Sequence, residues 1–471
     1  MVLGRSRLPT SMTHTFANWT AIILAAGQGA RMRSSLPKVL HPLAGRPMVR
    51  HVAEAVQEAG FARCIVIVSP DAGPVRAALG DSVLFVSQPE PLGTGHAVTQ
   101  AQEAAGDAEQ LMVLNGDVPL IQAQTLAELA RAHEDAAADL SFLTAQVTEA
   151  GQYGRVLRGD DGRVAGVVEA SERPEADEDE SAAGATEINA GQYCFRTAWL
   201  WPRLSALPAA STGEYYLTSL VATAVEEGAA VLTVTAPYDE VRGINDRAQL
   251  AEAEALLRQR LNRGHMLSGV SLADPATTYI DAGVTIGVDT VIEPNTYLRS
   301  GTSVGEGCRL GPNSTLDEAA LGDRCRVVES TIEEATLEDD VEVGPYSHVR
   351  PGSYLCSGVH IGNFAEVKNA RLGPGVKMGH MSYIGDAEVG DETNIGAGTV
   401  TCNFDGKKKN RTVIGKGVFI GSDTMLVAPL TVGDGARTGA GSVVNKDVPA
   451  GAIAVGAPAR VRKQAEGRED S

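Results

Sequence analysis

The chain has 471 residues, 43 % of them hydrophobic and 21 % charged, and a formal net charge of −19. That is the balance of a globular protein with material for about two or three domains, and its acidic excess lacks the basic footprint of a nucleic-acid binder. No apolar run approaches the roughly 18 residues of a membrane span, which predicts no membrane association.

Residues 1–19 lack the apolar stretch of a secretory signal and read as an extension, with Met12 a possible alternative start. Ala21–Ala25 then reads as a short buried strand running into Ala26-Gly-Gln-Gly-Ala30. Pro47 opens a helix with Met48, Val49, Val52 and Val56 on one face and Gly60 closing it. Cys64–Val68 is a second strand, Gly93–Ala105 a helix, and Leu111–Leu114 a strand ending in Asn115-Gly116-Asp117. Strands alternating with helices predict a doubly wound, Rossmann-like α/β domain over 20–245. The acidic run Glu172–Glu180 reads as a surface loop.

Leu250, Ala253, Leu257 and Leu261 follow helical spacing among many charges, so 246–268 is expected to be a helical linker. From Ile286 an aliphatic residue followed by glycine recurs, at Val304, Leu310, Leu321, Val343 and Ile361. The aliphatic ladder continues through Leu372, Met378, Ile384, Val389 and Ile395, then Ile414, Ile420 and Val432. Steps of six predict a triangular prism, a left-handed parallel β-helix over 269–460, with the aliphatic residue inward and glycine relieving the corner. A tail of 461–471 follows. The ladder breaks once, between Ile395 and Ile414, and the excursion Thr401–Arg411 is where function is expected. Its basic cluster, Lys407–Lys409 with Arg411, suits a small phosphorylated ligand or a solvated loop. Six scattered cysteines without a CxxC pair predict reduced thiols and a cytoplasmic protein.

Open α/β sheets bind ligands at the carboxyl ends of their strands. Small residues from Leu24 to Gly29 let backbone N–H groups approach a nucleotide, and Arg31 and Lys38 can meet phosphate. The glycines alone serve equally for a tight turn. Asp117 at a strand end suits Mg²⁺, although such a residue is also a common turn former.

Together Leu24-Ala-Ala-Gly-Gln-Gly-Ala-Arg-Met and Leu36-Pro-Lys38 resemble the signature of sugar-1-phosphate nucleotidylyltransferases. Gln88, Leu92-Gly-Thr-Gly-His96, Tyr153-Gly-Arg155, Glu187-Ile-Asn-Ala-Gly191 and Gly213-Glu-Tyr-Tyr216 narrow the match. With the hexapeptide region, the chain from about Ile22 to Ala459 resembles the bacterial bifunctional N-acetylglucosamine-1-phosphate uridylyltransferase / glucosamine-1-phosphate N-acetyltransferase family. The resemblance implies that Leu24, Ala25, Ala26, Gly27, Gln88, Gly93 and Thr94 hold the nucleotide of UTP, while Arg31 and Lys38 neutralise its phosphates. It implies Asp117 and Asn245 as Mg²⁺ ligands, and Gly154, Glu169, Asn189 and Asn245 around N-acetylglucosamine 1-phosphate. Asn115 stands where the family often has an aromatic residue, and Ala170-Ser171-Glu172 replaces a His-Lys-Asp.

N-acetylation of an amino sugar needs a base, and histidine has the right pKa. Taken alone, His380 in Gly379-His-Met-Ser-Tyr383 is as readily a surface residue. The resemblance makes it the base, with Glu366 expected to orient its imidazole. It also implies Arg350 and Lys368 on the substrate phosphate, and Tyr383 and Asn394 on the sugar. Ala397, Asn403, Phe404, Ser422 and Ala440 would contact acetyl-CoA, with Ser422 the oxyanion donor. Phe404 replaces a usual tyrosine, and Ala457 a usual arginine for which Arg460 is the substitute.

The implied product is UDP-N-acetylglucosamine, a precursor of peptidoglycan and other envelope glycans, made by a homotrimer with acetyl sites between neighbouring chains. One competing reading is a nucleotidylyltransferase whose β-helix is structural or regulatory; the matching positions of His380, Lys368 and Asn394 argue against it. The other is a non-enzymatic scaffold, which predicts a degraded nucleotide site, against the presence of Arg31, Lys38 and Asp117.

Overall fold

The strand expected at Ala21–Ala25 runs over Phe16–Leu24 (β1), back into the stretch read as an extension. Aromatic packing is the reason. Phe16 and Trp19 are buried, and Phe16 stacks on Phe61 with ring centroids 4.8 Å apart. The computed structural model describes residues 15–27, 29–170, 185–210 and 213–462, so the acidic run Glu172–Glu180 lies outside the described residues. The chain divides into two units, Met1–Leu256 and Leu257–Ser471.

In the first unit β1 is followed by β2 (Phe61–Val68), β3 (Leu84–Ser87), β4 (Gln110–Asn115) and β5 (Leu140–Val147). The hairpin β6 (Arg155–Arg158) and β7 (Val164–Val168), then β8 (Thr186–Arg196) and β9 (Val231–Thr235), complete the sheet. Its order is β9-β5-β8-β4-β1-β2-β3, with the hairpin attached to β8. The main strands are parallel except β8, which runs antiparallel to both β4 and β5.

Alternation along β1 sends Ala21 and Ile23 into one apolar layer and Ile22 into the other. Helices Met48–Glu58 and Ala123–Asp135 cover the first layer. Helices Thr94–Gln100, Thr197–Ser205 and Ser219–Glu226 cover the second. The helix behind Pro47 buries Met48, Val49, Val52 and Val56, as expected. The helix expected over Gly93–Ala105 is instead two, Thr94–Gln100 and Gln102–Ala105. Ala101 N–H turns to the Val98 carbonyl at 2.9 Å, a tighter bond that ends the first helix.

The chain order reverses on either side of β1. Leu24 at its carboxyl end is in register with Asn115 of β4, and the crevice opens there.

The helix Arg247–Leu267 contains the unit boundary. It buries Ala253 and Leu257, leaving Leu250 and Leu261 half-buried. The second unit is a left-handed parallel β-helix of three sheets, with twelve, ten and nine strands among the described residues. Each coil contributes one strand to each face. On the first face Ile292, Leu310, Val327, Val343, Ile361, Met378, Ile395 and Ile420 stack in register. Each inward aliphatic is worth about 1.5–3 kcal/mol of burial.

The glycine after the aliphatic has a steric reason. A Cβ on Gly390 would stand 2.6 Å from the carbonyl carbon of Gly415 in the next coil. The left-handed backbone falls elsewhere in the turns, on residues such as Asn313, Asp340 and Asp386. The excursion 403–411 closes as a small hairpin through a Phe404–Lys409 bridge. Asp405 holds its turn, accepting from the Lys407 and Lys408 N–H groups at 2.9 Å. The last described strand, Arg460–Arg462, turns back antiparallel on Ile453–Val455, so the fold extends two residues into the expected tail.

Both units offer a stability test of this packing. Gly390→Ala should cost roughly 1–3 kcal/mol through backbone overlap, lowering the melting transition of the β-helix by calorimetry. Gly435→Ala, where a Cβ meets open space, should cost less despite a φ of 65°. In the first unit burial pushes the pKa of His133 down to about 4. The ring is neutral, between Ser141 Oγ at 2.7 Å and Gln110 Oε1 at 3.1 Å. The unfolded chain therefore binds a proton first, and stability present above the unfolded pKa near 6.5 is lost as pH falls toward 4. The loss should approach about 3 kcal/mol, and His133→Gln should flatten that slope in urea titrations between about pH 7 and 4.

Candidate active sites

The crevice of the first unit is a cleft with two lobes of about 440 and 510 Å³. Leu24, Ala26, Gly27, Lys38, Gln88, Gly93 and Thr94 line the first. Gly154, Glu169 and Asn189 line the second, and Arg31, Asp117 and Asn245 border both. Ala25 stands behind the lining, buried, with its N–H on the Ile67 carbonyl at 2.8 Å.

At the junction Lys38 Nζ donates to the Asp117 carboxylate and, at 2.7 Å, to Asn245 Oδ1. Arg31 donates to Asn245 Oδ1 at 3.0 Å and to Gln152 Oε1 at 2.6 Å. Backbone holds the hub together: the Ile244 N–H reaches the Asp117 carbonyl at 2.9 Å, and Gln249 Oε1 receives the Asn245 N–H at 2.7 Å. Gly29, with φ of 66°, is required here, because a Cβ would lie 2.4 Å from Cβ of Lys38.

The Gly93-Thr94-Gly95 and Glu214-Tyr-Tyr216 segments are each other's backbone partners. Tyr215 N–H donates to the Leu92 carbonyl at 2.9 Å, Gly95 N–H to the Tyr215 carbonyl at 2.7 Å, and Leu217 N–H to Thr94 Oγ1 at 3.0 Å. A Cβ on Gly93 would stand 2.7 Å from the Tyr215 oxygen. Asn115 donates to the Gly191 carbonyl at 3.2 Å, so it ties β4 to the bulge of β8. Asn189 Oδ1 receives the Gly191 N–H at 3.1 Å, and its amide donates to the buried Tyr193 hydroxyl at 2.6 Å.

On the β-helix the expected acetyl-transfer residues fall on two corners and on the first and second faces. His380 ends the first-face strand Lys377–His380, opposite Asn363. Ala397, Ser422 and Ala440 continue the same corner in later coils. The Asp423 N–H reaches the Ala397 carbonyl at 2.6 Å, and the Gly441 N–H reaches the Ser422 carbonyl at 2.8 Å. Asn394 lies on the first face beside Lys377. Tyr383 crosses the second face to Asn403, whose amide donates to its hydroxyl at 3.3 Å. Arg350 and Lys368 stand at the second corner, and Phe404 is exposed on the hairpin.

The partner of His380 is Asn363, not Glu366. Nδ1 lies 2.7 Å from Asn363 Oδ1, because the two residues are in register on one edge. Glu366 sits opposite Tyr383 and is taken by Arg350 at 2.6 Å. A carboxamide oxygen only accepts, so the proton is on Nδ1 and Nε2 keeps the lone pair.

Lys409 belongs with this group. Its ammonium beside Lys368, with Arg350 near, holds Lys368 below the ordinary lysine pKa, and Asp386 opposes them. Arg350, Lys368 and Lys409 thus form a group of neighbouring cations. The basic run 407–409 was the signal for it, without saying which lysine stands beside Lys368. Gln152 had only its place beside Tyr153 to mark it.

A MobA-like NTP transferase domain model matches residues 21–229. The bacterial transferase hexapeptide model matches 278–318 and 411–446. A bifunctional protein GlmU of Heliobacterium modesticaldum is 46 % identical over 439 residues, covering 93 % of this chain and 95 % of the relative. Those of Pelobacter propionicus and Brevibacillus brevis are 45 % and 43 % identical, over 95 % and 94 % of this chain and 97 % and 96 % of theirs. The two-lobed cleft, the β-helix corners and nearly full-length identity converge on one conclusion: this chain belongs to the family of bifunctional GlmU proteins.

Proposed function

We propose that the chain makes UDP-N-acetylglucosamine in two steps, N-acetylating glucosamine 1-phosphate from acetyl-CoA on the β-helix and then transferring uridylyl from UTP in the α/β cleft. The observation that carries this reading is the pairing of His380 and Asn363 across successive coils, near Tyr383 and the Arg350, Lys368 and Lys409 cluster. A structural β-helix has no use for an oriented imidazole beside a phosphate receptor.

In acetyl transfer His380 Nε2 takes one proton from the sugar ammonium, and the freed amine attacks the thioester carbonyl. The C–S bond then breaks, coenzyme A leaves as its thiol with the proton held by His380, and the new amide nitrogen gives its second proton to solvent. Nδ1–H stays on Asn363, which steadies the imidazolium in the useful orientation. Arg350, Lys368 and Lys409 hold the phosphate. Ser422 is the proposed oxyanion donor. In uridylyl transfer the sugar-phosphate oxygen attacks the α-phosphorus of UTP in line and pyrophosphate leaves. Arg31 and Lys38 would turn from Asn245 and Asp117 to the triphosphate, so binding is an exchange of partners.

Mg²⁺ fits this place. Asp117 and Asn245 both offer hard oxygens, and those oxygens already converge on a single positive centre, Lys38 Nζ. When bound, the ion would neutralise charge on the phosphates during displacement. A homotrimer is part of the proposal, since most acetyl-site groups are at least partly exposed on surface that a second copy can cover. Cytosolic residence is supported by six unpaired cysteines. Among the described residues, no helix is long and apolar enough to cross a membrane.

His380→Ala should lower thiol release from acetyl-CoA and glucosamine 1-phosphate by about 10²–10⁴-fold, with pyrophosphate release from UTP, N-acetylglucosamine 1-phosphate and Mg²⁺ unchanged. Asp117→Ala should do the reverse. A folded single variant that loses both activities would sink the two-site reading. Light scattering should give three chains per particle, and a monodisperse, fully active monomer would remove the trimer.

A further inference from the structure

The acetyl-CoA residue Asn403 is buried, and its carboxamide has two possible orientations that shape alone barely distinguishes. What decides between them is Asp386, one coil earlier. Asn403 Nδ2 lies 2.5 Å from Asp386 Oδ2, and a carboxylate can only accept. The same nitrogen reaches the Tyr383 hydroxyl at 3.3 Å. Both amide protons are thereby used inside the protein, and what Asn403 can offer a ligand is its oxygen. Asp386 is itself held on both sides. Its Oδ1 receives Asn369 Nδ2 at 2.7 Å, its N–H donates to the Lys368 carbonyl at 3.0 Å, and its carbonyl receives the Thr412 N–H at 3.2 Å. The last bond pins the returning end of the hairpin that carries Asn403 and Phe404.

We propose that Asp386 is the positioning residue of acetyl transfer: its carboxylate fixes the Asn403 carboxamide with the oxygen outward, as an acceptor for an amide N–H of the coenzyme's pantetheine arm. The inference rests on the acetyltransferase reading of the β-helix. It assigns Asp386 no contact with substrate.

The test is a polarity swap. Asp386→Asn keeps the shape and suits the φ of 50°, but lets Asn403 turn its oxygen inward. Asn403→Asp sets two carboxylates against each other. Each single variant should raise the KM for acetyl-CoA about tenfold, with kcat at saturation within about threefold of the parent. In the double variant the polarity is exchanged: the carboxamide introduced by Asp386→Asn donates to the carboxylate introduced by Asn403→Asp, which again presents an oxygen outward. Its KM should return to within about threefold of the parent. Asn369→Gly removes the other arm at a φ of 45°, and should leave that KM within about twofold. Uridylyl transfer, the control for folding, should be unchanged in all four.

An unchanged KM in Asp386→Asn overturns the proposal. So does a double variant whose loss equals the product of the single losses, or an Asn369→Gly variant as weak as Asp386→Asn, since the corner would then matter only as structure. A parent protein that releases no thiol from acetyl-CoA defeats the acetyltransferase reading itself, and this inference with it.

Discussion

Parallel strands lie about 4.8 Å apart, and in the β-helix that spacing governs nearly everything else. A residue is stacked on its equivalent one coil away, some 16 to 18 positions along the chain in the uninterrupted coils, as the pairs Glu342–His360 and Asn363–His380 show. Inward positions are therefore aliphatic in nearly every coil, with the buried Thr401 and Thr438 as exceptions. The glycine after them must lack a Cβ, because the next coil's backbone occupies that space. The same spacing builds the acetyl-transfer region. Asn363 with His380, Arg350 with Glu366, Asn369 with Asp386 and Asp386 with Asn403 are all neighbours in successive coils. A repeat that serves stability thus also brings polar residues into contact, and the one hairpin excursion adds Asn403 to them.

The first unit reaches its site differently. There the decisive relation is the register of Leu24 with Asn115 across two adjacent parallel strands. It places the glycine-rich turn after one strand beside the carboxylate after the other. Lys38 and Asn245, far apart in sequence, close the hub from opposite sides. Here topology gathers distant residues once, where the β-helix gathers near ones repeatedly.

That difference explains what the sequence could reveal. The aliphatic ladder has a short period and was legible residue by residue, as were the α/β alternation and the helix behind Pro47. The reach of β1 back to Phe16 was not, because it depends on an aromatic partner at Phe61. Nor was the break at Ala101, which has no glycine or proline to mark it. The cleft residues were legible as motifs, yet the mutual clamp of Gly93–Gly95 on Tyr215 is visible only in three dimensions. Glu366 was a natural guess for orienting His380, being acidic and nearby in the chain. Register decided otherwise, giving Asn363 to the histidine and Glu366 to Arg350. Lys409 was hidden among like neighbours, since composition identifies a basic run but not which member stands beside Lys368.

Charge links the two sites. In a chain of net −19, each site concentrates cations and braces them with acceptors: Asp117 and Asn245 hold Lys38, while Glu366 holds Arg350. The partly exposed Arg350–Glu366 pair contributes little stability, about 0–1 kcal/mol, so its main effect is to hold a flexible cationic side chain near one geometry. A phosphate arriving there meets cations already ordered, and less rotamer freedom remains to be lost on binding. The bracing carboxylates also keep a field of converging cations from repelling itself when no ligand is present. Pre-ordering and self-neutralisation together favour a dianionic ligand that can replace a carboxylate at the same cation. Sugar 1-phosphates and nucleoside triphosphates both meet that requirement.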